Sequence, residues 1–295
     1  MMKLFSQSRE EPSLAFGGQA LMEGVMIRSH THVVMCVRQP NNEIMTHTEE
    51  INSISERHKI LRLPFLRGII RLFEALYLGV KGLYFSVNAV LEEEEEKFTY
   101  KEFTIVAAMA LALASFFFVV PFLLTALFNF TGVLFNVIEA IIRLAIFLLY
   151  LTLIAMWGEF KRILQYHGAE HKTINAHETG VALNVENVKK FSRLHPRCGT
   201  SFIFIVLLVS IFLFSIMPDL GIFARLGYRI LLIPVIGAIS YELLKLSDRY
   251  KDSIITRILT MPGLAFQRLT TKEPDDDMIE VAVEAVKEVN RLIGS

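Results

Sequence analysis

His167, Glu170 and His171 spell H-x-x-E-H, a spacing that on a helix sets two imidazoles one turn apart with a carboxylate beside them on the same face. Two neutral imidazoles so placed can hold a divalent metal, and the carboxylate can orient or deprotonate a water. A second pair, His195 and Cys198, follows at H-x-x-C spacing, where imidazole and thiolate are both zinc ligands. Four of the eight histidines, His167, His171, His177 and His195, fall in this one stretch.

Two metal geometries suit these residues. In a closed one, His167, His171, His195 and Cys198 surround the metal and staple the loop, as structural sites do. In an open one, His167 and His171 share the metal with a distant carboxylate, Glu170 is the catalytic base, and one position stays free for water. The open pattern is that of inverted zinc proteases, which take a further glutamate downstream. Glu242 is a candidate additional ligand by distance along the chain, although Lys245 one turn on also suits it to an ion pair. Glu178 and Glu186 lie nearer, and Glu23 is another carboxylate, from the amino-terminal part. Cys198 as a nucleophile with His195 as its base fits less well, because this spacing favours joint ligation. The expected cofactor is a divalent metal, zinc by the donor set.

The elements that position these residues are largely apolar. The chain has 295 residues, 53% hydrophobic, with 23 phenylalanines and no net charge, which suits a membrane protein better than a two-domain soluble enzyme. Uncharged runs at residues 103–128, 141–157, 201–217 and 228–246 predict four transmembrane helices, with a Glu139/Arg143 pair at a membrane edge. Lysines and arginines crowd residues 158–200 (Lys161, Arg162, Lys172, Lys189, Lys190, Arg193, Arg197) and are sparse in the two short turns. By the positive-inside rule the termini and the motif loop are cytoplasmic, in the cell's inner membrane. Cys36 and Cys198, far apart in a reducing compartment, suit a ligand or a free thiol rather than a disulfide.

The predicted fold class is a mainly α membrane protein with about four transmembrane helices, a membrane-interface helix and a small N-terminal β-hairpin module. Residues 1–60 hold that β-rich module, its first strand running from Gly17 to Arg28, and residues 61–97 hold an amphipathic interfacial helix with an acidic run at Glu92 to Glu96. An extra crossing or re-entry within residues 65–91 would move the amino terminus outside. Residues 98–157 and 201–247 form two transmembrane hairpins around the loop at 158–200, and the helix ending at Trp157 continues without a break to Lys172. In the tail, 248–295, Glu273-Pro274-Asp275-Asp276-Asp277 starts an amphipathic helix, with magnesium ligation the other reading of the acids. No phosphate loop, dinucleotide fingerprint, cleavable signal or nucleic-acid-binding pattern is present.

Four blocks carry a resemblance: Gly-Gly-Gln-Ala-Leu-Met-Glu-Gly-Val-Met-Ile-Arg (17–28), Tyr-His-Gly-Ala-Glu-His-Lys (166–172), Phe-Ser-Arg-Leu-His-Pro-Arg-Cys-Gly-Thr-Ser-Phe (191–202) and Gln-Arg-Leu-Thr-Thr-Lys-Glu-Pro-Asp-Asp-Asp (267–277). Together they resemble the YqhQ-like family, a bacterial group of multi-pass membrane proteins described as predicted metal-dependent enzymes. The resemblance implies that His167, Glu170, His171, His195 and Cys198 are the functional positions, in either metal geometry. The expected function is a zinc-dependent hydrolase at the cytoplasmic membrane face, with the lipid bilayer as its surroundings. The alternative is a non-enzymatic scaffold or assembly factor for another membrane protein complex, with a structural metal or none. Transport fits less well, since few charges lie near the membrane.

Overall fold

A computed structural model describes residues 16–294 apart from 52, 55–58, 92–98, 129, 197, 218–220 and 251–252. The acidic run at Glu92 to Glu96 lies outside the described residues. The protein is mainly helical, with a small antiparallel sheet at its amino-terminal end.

Four strands, β1 (Gly17–Leu21), β2 (Gly24–Arg28), β3 (His32–Arg38) and β4 (Ile44–Glu50), pair in sequence order as a meander. The stretch read as one strand from Gly17 to Arg28 is two, folded at Met22-Glu23 so that Leu21 faces Gly24. Glu23 takes the left-handed conformation this tight turn requires, φ 51°. Successive strand residues face opposite sides, yet β2 and β3 are buried on both. Val25, Ile27, Val34 and Cys36 belong to one apolar cluster, and Met26, Val33, Met35 and Val37 to another. Two covered faces explain why these strands are apolar almost without a break.

Each face is covered by helices. On one lies α1 (Leu66–Val90), the helix expected at the interface and here a single element. The other receives α4 (Gly158–Glu178) and the tail helix α9 (Asp276–Ile293), whose Ile279, Val283 and Val286 are buried while its first turn carries Asp276 and Asp277. Acids there complement the positive end of the helix dipole. Asp276 pairs with Lys189. Between them in sequence lies the short α5 (Val185–Val188), capped by Asn184.

The remaining helices, α2 (Tyr100–Ala126), α3 (Gly132–Met156), α6 (Gly199–Ser215), α7 (Ile222–Arg249) and α8 (Ile254–Thr270), pack on one another, and α1 joins them through α7. Among the described residues two helical segments, Gly132–Met156 and Phe223–Ser247, are long and apolar enough to cross a bilayer; Ser115–Ala126 and Gly199–Ser215 are apolar but shorter. Glu139, expected with Arg143 at a membrane edge, is 1% exposed among the helices, and both Arg143 and Arg229 pair with it. Arg229 also donates to Asn136 Oδ1 at 2.9 Å and lies over the rings of Phe122 and Phe214. A buried carboxylate is tolerable only with such compensation.

The helix expected to run unbroken through Trp157 stops there. Trp157 is extended (φ −80°, ψ 127°), and α4 begins anew at Gly158. That bend lets α4 pack on β1 and α9 instead of continuing the line of α3.

The tightest backbone crossing lies over α4. A Cβ on Gly168 would stand 2.0 Å from the carbonyl oxygen of Lys272, whereas one on Gly158 would meet nothing within 4 Å. Gly168→Ala is therefore expected to cost about 1–3 kcal/mol by overpacking and to lower the thermal unfolding midpoint of the detergent-solubilised chain, while Gly158→Ala leaves it within error. Equal midpoints for the two variants would contradict the crossing.

Candidate metal centre

Helix α4 presents Gly168 to Thr173 to the interior, so Glu170 and His171 are buried at 4% and 1% exposure and His167 is half-buried. Residues 270–274 cross this face. The Lys272 N–H donates to Leu164 O at 2.8 Å, and Gln165 Nε2 donates to Glu273 O at 3.1 Å. On the other side lies the loop leading to α6. Asn175 Nδ2 donates to the carbonyls of Ser192 and Leu194 at 2.7 and 3.1 Å.

These two segments orient the imidazoles. His167 Nδ1 is 2.8 Å from Thr270 O and His171 Nδ1 is 2.7 Å from Arg193 O. A carbonyl can only accept, so both Nδ1 atoms carry a proton, and in the neutral form each Nε2 presents a lone pair. Burial holds His171 below the ordinary histidine pKa, which keeps it in the neutral form a metal needs. Carbonyl-anchored imidazoles of this kind are the usual outer-shell arrangement of a metal site.

The third donor is Cys198, the residue before α6. Its Sγ lies 3.3 Å from His167 Nε2 and accepts from Thr200 N–H at 3.5 Å and Thr200 Oγ1 at 3.4 Å. Donor atoms of His167, His171 and Cys198 all fall within 4.8 Å of one another. Tetrahedral zinc, with bonds of about 2.0–2.3 Å, sets neighbouring donors roughly 3.3–3.8 Å apart, so the three need close only slightly to share one ion. Their chemistry, two neutral imidazoles and one sulfur, fits zinc.

His195 stands beside this group rather than in it. Its ring centroid is 5.8 Å from that of His171, its Nε2 faces Glu178 Oε1 at 3.3 Å, and its backbone is clamped by Gln267, which accepts from the His195 N–H at 2.8 Å and donates to its carbonyl at 2.7 Å. Glu242 is likewise engaged elsewhere, accepting from Arg67 Nε at 2.7 Å. Glu23 accepts from Arg162 Nε at 2.6 Å and from the Tyr166 hydroxyl at 3.3 Å. His177 stacks on Phe16, centroids 4.6 Å apart. Cys36 is a buried free thiol between the sheet and α9, and burial pushes its pKa up to about 12.

Glu170 is the unusual member. Its Oε2 is buried without a hydrogen-bond partner among the described residues, and burial raises its pKa against the opposing pull of His167 and His195. Strand β1 makes the room: a Cβ on Gly18 would come within 2.4 Å of Glu170 Oε1. The sequence reading missed Gly18, Gln267 and the carbonyls of Thr270 and Arg193 as parts of this site. Gly18 and Gln267 both stand in the blocks that carry the family resemblance, and that was their only signal.

The family described as "Protein of unknown function (DUF1385)" matches residues 63–292. The "Uncharacterized protein YqhQ" of Bacillus subtilis (strain 168) is 35% identical over 311 residues, covering 97% of this chain and 95% of the relative. No solved structure matches.

The Gln267 clamp generates a local expectation. In the wild type the His195 amide exchanges slowly with solvent deuterium, because its acceptor is fully buried. Gln267→Ala leaves buried backbone groups unpaired, at about 1–3 kcal/mol, and should speed exchange across residues 193–198 while α9 keeps its protection. Unchanged exchange at His195 would contradict the clamp.

Proposed function

The chain belongs to the DUF1385 family, and we propose that it is a multi-pass membrane protein carrying a zinc-dependent hydrolase site at the cytoplasmic membrane face. The observation that carries the enzymatic part is the buried Oε2 of Glu170, unpartnered among the described residues, beside a set of three donors among those residues. A closed structural site needs a fourth protein ligand; a catalytic one leaves that place to water and substrate. His195, the residue that would close the set, faces Glu178.

In this reading His167 and His171 would hold the metal through Nε2 and Cys198 through Sγ. When bound, zinc supplies Lewis acidity. Glu170 would take a proton from the attacking water at Oε2 and return it to the leaving group, work suited to a carboxylate whose pKa burial raises. Thr270 O and Arg193 O keep the imidazoles oriented throughout. The substrate is a peptide, amide or ester presented at the membrane surface.

Membrane placement is supported by exposure. In the best windows of Gly132–Met156 and Phe223–Ser247 only 11% and 22% of residues are buried, which supports lipid-facing helices over the core helices of a soluble protein. Large apolar side chains such as Leu149, Leu153, Phe212 and Leu231 face outwards, which suits lipid. In this reading α2 and α6 are the other two crossings, and the cation-rich stretch from 158 to 200 supports a site on the cytoplasmic side.

Metal analysis of the purified full chain is the test. We expect about one zinc per chain in the wild type, Glu170→Gln and His195→Ala, and at least a roughly tenfold loss in His167→Ala, His171→Ala and Cys198→Ser. Against fluorogenic peptide, amide and ester substrates in micelles, Glu170→Gln should retain metal and lose activity about 10²–10⁴-fold. Loss of zinc in His195→Ala would favour the closed site and the scaffold reading; a wild type without metal would end both metal geometries and leave only the metal-free scaffold.

A further inference from the structure

The sheet has two edge strands, β1 and β4, and they differ in character. Strand β4 carries Glu49 and Glu50, and charge on an edge strand discourages another chain from pairing with it. Strand β1, Gly-Gly-Gln-Ala-Leu, carries no charge, and its Gly17 and Gly18 are exposed.

Hydrogen bonding alternates along an antiparallel pair. Leu21 stands opposite Gly24 across a two-residue turn, so Leu21, Gln19 and Gly17 turn their N–H and C=O groups to β2, while Gly18 and Ala20 turn theirs outwards. The far side of β2 agrees with this phase. The Arg38 N–H donates to Glu23 O at 2.8 Å, which makes Val25 and Ile27 the β2 residues bonded to β3. Met22, the next residue of the outward series, gives its N–H to Ser86 Oγ at 3.2 Å. The outward groups of Gly18 and Ala20 meet no partner among the described residues.

This edge borders the candidate site. Gln19 and Leu21 face α1, where Gln19 Nε2 donates to Gly79 O at 3.4 Å, so Gly18 and Ala20 face α4. Glu170 Oε1 stands 2.4 Å from where a Cβ on Gly18 would be. Around α4, Tyr166, Ala169 and Ala176 face the apolar core while His167 and His171 face the third donor, Cys198, and at 3.6 residues per turn Glu170 falls between the two faces. Helix α9 packs on β2 and β3 and α4 on β1, so α4 stands at the free edge of the sheet. A strand added there, about 4.8 Å from β1, would pass beside the Glu170 carboxylate.

Backbone donors and acceptors repeating at every second residue are matched by the backbone of another extended chain, and glycine within a strand marks a place where a backbone can come close. We infer that the free edge of β1 binds the substrate as an extended polypeptide, added as a fifth strand through the N–H and C=O groups of Gly18 and Ala20, with its scissile carbonyl beside Glu170. The inference rests on the hydrolase reading above and narrows the substrate class of that site to peptides. Water would add across the peptide C–N bond as that bond breaks, its hydroxyl going to the carbonyl carbon and its proton, passed by Glu170, to the departing amine.

Hydrogen–deuterium exchange of the full chain, read residue by residue by fragmentation mass spectrometry, tests the edge directly. In the free chain the amides of Gly18 and Ala20 should exchange fast and those of Gln19 and Leu21 slowly. Two probes are then added: an alternating Thr/Val peptide of about eight residues, N-methylated at every second residue so that one bonding edge remains, and the same peptide N-methylated throughout, with no bonding edge. We expect the first to slow exchange at Gly18 and Ala20 roughly tenfold and the second to leave it unchanged. Ala20→Pro removes one outward N–H that the ladder to β2 does not use, and should abolish the protection of Gly18 at an unchanged unfolding midpoint; if that variant unfolds early, the two peptides on the wild type still decide. The inference is overturned by slow exchange of Gly18 and Ala20 in the free chain, which would place another part of this chain or a second copy on the edge, by equal protection from the two peptides, or by protection from neither. A wild type that holds zinc and cleaves the fluorogenic peptide without edge protection fails this inference alone. One that holds no zinc and is still protected by the first peptide fails only the hydrolase reading, and leaves the edge as a peptide-binding site.

Discussion

The carbonyl oxygen of Lys272 occupies the place where a side chain at residue 168 would begin, and much of the architecture follows from that contact. Because residue 168 is glycine, residues 270–274 can lie directly on α4. One end of this crossing delivers the Thr270 carbonyl to His167, fixing which nitrogen faces the metal position. The other end starts α9 at Asp276, and α9 then covers the sheet. A single close approach thus joins the helical bundle, the candidate site and the amino-terminal module. Arg193 reinforces it, donating to Thr271 Oγ1 at 2.8 Å while its own carbonyl orients His171.

Two buried glutamates show how differently this fold treats the same charge. Glu139 is met by two guanidiniums, as a carboxylate in an apolar bundle must be, since removing one partner of a buried pair costs about 3–5 kcal/mol. Glu170 is also buried and has an oxygen with no partner among the described residues, held under a glycine of β1 beside three metal-type donors. A protein that compensates one carboxylate fully and leaves the other bare is sustaining a local cost. Unsatisfied buried polar groups are rare in folded proteins and concentrate where chemistry is done. That contrast, more than the H-x-x-E-H string, supports a reacting carboxylate.

What could be read from the sequence follows the range of the interactions involved. The pairing of His167 with His171 is a property of one helical turn, and the acid-started helix at Asp276 is a property of its own first residues, so both were legible. The double burial of β2 and β3 was half visible in their uninterrupted apolar run. The turn at Met22-Glu23 was not, because it lacks the Asn-Gly or Asp-Gly signature and depends on a glutamate in left-handed backbone. Neither was the break at Trp157, which no proline announces and which packing of α4 on the sheet imposes. Contacts across 72 to 152 residues were beyond local pattern altogether: Glu139 with Arg229, Gln267 with His195, Gly18 with Glu170. His195 and Cys198 looked like one unit by spacing. In the fold the intervening turn sends Cys198 Sγ to His167 and the His195 ring to Glu178.

The central claim is an open site of two imidazoles and one thiolate. X-ray absorption at the zinc edge of the metal-loaded full chain tests it most directly, because it counts ligands by type without needing a substrate. The account predicts one sulfur at about 2.3 Å, two imidazoles at about 2.0–2.1 Å and one further light atom without imidazole scattering. A shell of one sulfur with three imidazoles would make the site closed and structural, and a shell without sulfur would remove Cys198 from it; either result contradicts the account.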